Sequence, residues 1–236
     1  MPPYRLAAHV HGCFSNHGAV LLDLRNDAYV GLDITQSLAL RDLVQGWPRS
    51  TQRGDVSESE AQAFALSLHE RGLLAHNLAR ERPALPATLP PAERQLLPWD
   101  RMTCSHIRVG HVLAFVKALV IVALLLGTRS IFALVRRAQE RRARNAHRPG
   151  VPDVWQAKAL ISAFYHIRAF FYGNKNRCLL DSAVLMEFLA SYSVYPAWVI
   201  GVRVVPFAAH SWVQHEECVL NGTPEYVRAY EPILVI

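Results

Sequence analysis

Apolar positions along this chain change period several times, and each change marks an element. Between residues 4 and 33 they alternate with polar ones, as on half-buried strands. Leu21-Leu22-Asp23-Leu24 and Ala28-Tyr29-Val30-Gly31-Leu32 flank Arg25-Asn26-Asp27, which predicts a hairpin. Helical spacing then begins and runs from Ser37 through Leu38, Leu40, Leu43 and Val44. Asp33 or Thr35 can cap it, and Gly46-Trp47-Pro48 ends it. After polar residues 49–57, Ser57 or Ser59 can cap a second helix through Ala63, Phe64, Ala65 and Leu68. Gly72 then punctuates before Leu73-Leu74.

Strands, two helices and a terminal Leu-Leu make a small winged-helix-like unit over residues 1–80. A proline-rich linker follows at 81–105, with Pro83, Pro86, Pro90, Pro91 and Pro98. Residues 106–236 read as a second domain, helical first (106–147 and 152–172, broken by Pro149 and Pro152). Another helix opens at Cys178, and strands follow at 197–205 and 209–214, with short pieces at 218–220 and 225–230. Helices ahead of an antiparallel sheet give an α+β class.

The remaining bulk features narrow this picture. The chain is 51% hydrophobic and 19% charged, which supports a packed core. Net charge is +6, and residues 129–148 alone hold seven arginines against Glu140. The plain reading of that run is the solvated face of a long helix. Residues 112–126 are apolar except for Lys117, but the charge-free part (118–128) is shorter than the roughly 18–20 residues of a membrane span. A buried helix is expected there, with surface association to a membrane or partner as the lesser alternative. Glu58, Glu60 and Glu70 on the second helix oppose a nucleic-acid partner. Cys13, Cys104, Cys178 and Cys218 form no C-x-x-C, which argues against structural zinc and a disulfide framework. With no secretion signal in the opening residues, a cytoplasmic location is expected.

One pair carries chemistry. Asn174-Lys175-Asn176-Arg177 leads into Cys178, and apolar residues at helical spacing follow it. A strand-rich run, Val199-Ile200-Gly201-Val202-Arg203 and then Phe207-Ala208-Ala209-His210-Ser211-Trp212-Val213, ends in a histidine. A helix N-terminus favours a thiolate, and an imidazole can take the thiol proton and return it to a leaving amine. Asn174 or Asn176 could assist the oxyanion or simply form the turn. Asp181 and Ser182 read as helix-start residues.

These segments, with the closing Val219-Leu220-Asn221 and the separation of 32 positions between cysteine and histidine, resemble the lasso peptide biosynthesis B proteins over residues 110–236. The amino-terminal part is similar to the PqqD-like domains that recognise leader peptides. The resemblance implies a fused form: an N-terminal winged-helix-like (PqqD-like) domain followed by a papain/transglutaminase-like cysteine protease domain. It implies binding of a precursor's leader and its removal by cysteine-protease chemistry. The protein itself would need no cofactor or metal, and a partner macrolactam synthetase using ATP would close the ring.

In that scheme Cys178 is the nucleophile and His210 the general base and acid. The family places an aspartate 12 positions after the histidine, where this chain has Gly222. If residues 210–214 and 218–221 form a hairpin with a two-residue turn, His210 and Asn221 share a face, so Asn221 is a candidate third member. Glu225 and Glu217 remain alternatives, as does a site with no strict third member. Trp212 shares the His210 face and could line a substrate pocket or pack in the core. In the first domain Tyr29, Val30 and Leu32 on a strand, with Phe64 and Leu68 on a helix, would form the leader groove by strand addition. Two alternatives use the same residues: a transglutaminase-like acyl transferase, and a non-catalytic adaptor presenting the precursor.

Overall fold

The computed structural model describes residues 3–49, 56–76, 83–96, 107–128, 131–145, 158–173 and 177–236. The chain divides into two compact units. The first is residues 1–88 with 202–208 and 231–234; the second is 89–201, 209–230 and 235–236.

In the first unit β2 (Val10–Ser15), β3 (Gly18–Asp23) and β4 (Ala28–Leu32) form an antiparallel sheet in that order, which leaves β4 an edge strand of that sheet. The β3–β4 turn forms as the polar cluster predicts: Arg25 and Asn26 donate their backbone N–H groups to Asp23 Oδ1. Helix α1 (Ile34–Leu40) starts at Asp33 in a capping box with Gln36, and α2 (Glu58–Glu70) starts at Ser57 in a capping box with Glu60. α1 is shorter than its apolar pattern. Residues beyond Leu40 turn away to meet β1 (Tyr4–Leu6), where Tyr4 donates to Leu43 O and Gln45 donates back to Tyr4 O. β1 also pairs antiparallel with β5 (Leu74–His76). Leu6, Val10, Leu21, Leu40, Ala65 and Leu68 lie at the centre of the core these elements close over.

The second unit begins with a piece of the expected linker. Arg94–Gln95 forms β6, parallel to β9 (Cys218–Val219). The long helical stretch is two helices, α3 (Val109–Thr128) and α4 (Ile131–Asn145). α3 is not the buried helix its composition predicts. Phe115, Ala118 and Val122 are buried, while Val109, Leu113, Val120 and Leu124 are exposed. Nor is the α4 arginine run only a solvated face. Arg137 Nε and Arg141 Nη1 donate to the two oxygens of buried Glu187 at 2.9 and 2.7 Å, fastening α4 to α6 (Cys178–Ala190). α5 (Lys158–Arg168) packs beside α3 and α6.

A five-stranded sheet runs in the order β10-β7-β8-β9-β6, with β7 at Ala197–Arg203, β8 at Ala208–His215 and β10 at Glu231–Val235. Short helix α7 (Pro224–Val227) precedes β10. β10 escapes the sequence pattern because Pro232 interrupts it. On an edge strand a missing N–H costs little, so the strand forms regardless.

Candidate active site

Cys178 is the first residue of α6, and among the described residues no side chain caps this helix. The first N–H groups of a helix have no intrahelical acceptor, so this end presents open donors and partial positive charge around the thiol. Asn174 and Asn176 lie outside the described residues. Cys178 and His210, from β8, line one cavity of about 630 Å³ together with Arg168, Arg177, Asn221 and Tyr226. Two residues from distant segments are thus brought to one concave site.

The His210 ring is set among aromatic rings. Tyr226 meets it edge-on at 4.8 Å, Tyr230 lies at 5.3 Å, and Trp212 stacks at 6.0 Å. Burial lowers the imidazole pKa from 6.5 to about 4, so the ring is neutral at neutral pH. Residues 210, 212 and 214 fall on one face of β8. Trp212 is only 2% exposed, and its indole N–H donates to Gln214 Oε1 at 2.9 Å. It backs the imidazole rather than lining the cavity. Gly201 is required beneath it, because a Cβ there would lie 2.7 Å from the indole ring. The i, i+4 spacing of Tyr226 and Tyr230 was the available sequence signal for this aromatic cage.

The β8–β9 hairpin has the anticipated register: Gln214 pairs with Val219 and His215 with Cys218, across Glu216 and Glu217. Asn221 nevertheless spends its amide elsewhere than on the imidazole. Its Oδ1 accepts from the Val213 backbone N–H at 2.6 Å, and its Nδ2 donates to Ser182 Oγ at 2.9 Å and reaches Asp181 Oδ2 at 3.4 Å. The side chain takes the ladder position that Leu220 O would fill; that carbonyl instead accepts from Tyr165 Oη at 2.8 Å. Ser182 Oγ donates to Ser211 O at 2.9 Å, next to the histidine. Asn221 and Ser182 therefore tie the cysteine helix to the histidine strand. Face parity was sound; what it could not show is that a short amide can fold back onto the strand's own backbone.

Glu217 sits in the hairpin turn and pairs with Arg94 at 3.6 Å. It lies beyond the end of β8, roughly 17 Å or more along the strand from His210. Glu225 is exposed on α7. Asp181, anticipated only as a helix-start residue, is the hub beneath the site. Its Oδ1 accepts from Arg168 Nη1 at 2.9 Å and from Tyr172 Oη at 3.3 Å. Arg168 and Tyr172 carried no local sequence signal, since their partner lies on a different element. Among the described residues no group of three or more His, Cys, Asp or Glu is arranged to hold a metal ion.

In the first unit the proposed groove residues separate. Leu68 is fully buried in the core and offers a peptide no surface, contrary to its expected contact role. Val30 and Phe64 pack partly buried against that core. Tyr29 and Leu32 line a cavity of about 390 Å³ with Gly31, Val204 and Phe207, and Phe64 lines another of about 380 Å³ with Gln36 and Val56.

No curated protein and no solved structure matches the chain. A family model described as transglutaminase-like superfamily matches residues 114–235, about half of the sequence, and that span contains Cys178, His210 and the whole cavity lining. The chain belongs to the transglutaminase-like superfamily.

Proposed function

We propose that this protein is a cysteine peptidase of lasso peptide maturation, which binds the leader of a ribosomal precursor and cuts it from the core. The observation that carries the catalytic part is the convergence of Cys178, at the start of α6, and neutral His210 on one open cavity. The thiol proton passes to His210 as Sγ attacks the scissile carbonyl carbon. The oxyanion forms at the α6 N-terminus, where backbone N–H groups can stabilise it by several kcal/mol. Collapse breaks the C–N bond, the imidazolium gives its proton to the departing core amine, and the leader remains as a thioester. Water, deprotonated by His210, then frees the leader carboxylate and regenerates the thiol. Asn221 serves as a positioning residue, holding the strand of one partner to the helix of the other.

The first unit would recognise the leader, and β4 supports this part of the reading. It is an edge strand with Tyr29 beside a cavity, suited to adding an extended peptide by main-chain hydrogen bonds. The freed core would pass to an ATP-using synthetase in the cytoplasm. An acyl transferase would use the same thioester but resolve it with an amine.

The test is incubation of the purified protein with its precursor peptide, followed by mass spectrometry, with and without the synthetase. Release of leader as a free acid, abolished by Cys178→Ala and His210→Ala with leader affinity intact, is the expected result. A leader joined to an amine identifies a transferase. Precursor that binds but stays whole, even with the synthetase present, identifies an adaptor.

A further inference from the structure

Helix α3 is apolar on two opposite faces, and the two have different fates. At 100° per residue Val109, Leu113, Val116, Val120 and Leu124 fall within an arc of about 80°. Their exposures are 76, 65, 37, 50 and 59%. Phe115, Ala118 and Val122 lie roughly opposite and are buried, where α3 packs on α5 and α6. The exposed stripe therefore runs about 22 Å along the helix. Five large aliphatic side chains in one uninterrupted row are more than the scattered surface apolars that any protein carries.

We propose that this stripe lies on an anionic lipid surface, with α3 parallel to the membrane plane. Charge selects the partner. Residues 101–135 contain Arg101, Arg108, Lys117 and Arg129, and no aspartate or glutamate. Lys117 is exposed, at the margin of the stripe, where its stem can run along the apolar row while the ammonium reaches a phosphate. An apolar row edged by a lysine, in a stretch of chain that is basic and free of acidic residues, is the composition of an interfacial helix, held by buried aliphatic area and attraction to acidic headgroups.

The competing occupants fit less well. A second copy would set these cations against their own duplicates. A membrane span matches α3 by length and composition, but it would strip Phe115, Ala118 and Val122 from α5 and α6 and place Lys117 near the bilayer centre. This proposal is independent of the peptidase reading, because it concerns binding and not turnover.

The experiment is flotation of the full chain with vesicles of phosphatidylcholine alone and of phosphatidylcholine mixed with phosphatidylglycerol. The protein is expected to float with the acidic vesicles and to be partly released by salt. Combined Leu113→Gln, Val120→Gln and Leu124→Gln should abolish flotation without changing the circular dichroism melt. Lys117→Gln, which leaves the apolar row intact, should lower the partition coefficient about fivefold. Three results overturn the proposal: no flotation of the unaltered chain, flotation of the triple variant equal to it, or a dimer that the triple variant dissociates.

Discussion

Asn221 separates two accounts of the site, and Asn221→Asp distinguishes them. If the amide oriented the imidazole, a carboxylate in its place would do so at least as well, raising the His210 pKa and keeping activity. If Asn221 is a brace, the aspartate keeps an acceptor for the Val213 N–H but loses the donor that faces Asp181 Oδ2 at 3.4 Å and Ser182 Oγ at 2.9 Å. Two carboxylates then meet in a half-buried place. At about 4 Å and an effective dielectric near 20, their repulsion is about 4 kcal/mol. Arg168, on the other oxygen of Asp181, offsets part of it. A net loss of about 2–3 kcal/mol at neutral pH is expected, shrinking as acid protonates the pair. Asn221→Ala instead strands the Val213 N–H and should cost about 2–4 kcal/mol at every pH. Urea unfolding across pH measures the stabilities, and histidine NMR follows the ring. An Asn221→Asp variant as stable as the original chain, active, and with a raised His210 pKa would refute the brace.

Other consequences follow from the same structure. His210 should titrate near 4 in the folded protein, against 6.5 for a free ring. Because the folded state disfavours the proton, the stability this ring confers is complete above pH 6.5 and is lost as pH falls from 6.5 towards 4. Discounted for the ring's remaining solvent contact, it amounts to about 2 kcal/mol, measurable as the pH-dependent difference between the original chain and His210→Gln. Gly222→Asp should be accommodated, since a Cβ there meets Val219 and Val227 at ordinary contact distances of 3.5 and 3.7 Å. Its carboxylate enters the cavity wall and should raise the His210 pKa by about one unit or more by NMR; an unmoved pKa would show that position 222 does not reach the ring. Glu187→Ala leaves Arg137 and Arg141 without their shared acceptor and should lower stability by about 2 kcal/mol, while a neutral result would mean the α4–α6 clamp is idle.

How far the sequence could be read depended on how local each signal was. Both capping boxes are written within four residues, and Asp33 and Ser57 stand where the polar-to-apolar transitions put them. The β8–β9 register was legible because a two-residue turn fixes pairing parity. Cys178 and His210 could be singled out because each is flanked by a pattern that names its element. The surface of α3 was not legible, since an all-apolar helix reads the same whether one face or both are covered. The Arg168–Asp181–Tyr172 cluster was not legible either, because its members meet only after α5 and α6 pack. Leu68 shows the limit in the other direction: the period places it on an apolar face but cannot say whether that face meets the core or a ligand.

The pairing of Cys178 with His210 can be tested without knowing the substrate. Alkylation by iodoacetamide, followed residue by residue by mass spectrometry, gives the reactivity of each thiol. Cys178, on the cavity wall, should react well ahead of Cys13 and Cys218, which are buried and whose thiol pKa values burial raises. His210→Ala should slow Cys178 by an order of magnitude or more at neutral pH and leave Cys13 and Cys218 unchanged. A Cys178 rate indifferent to His210→Ala would contradict the central claim that these two residues form one nucleophilic site.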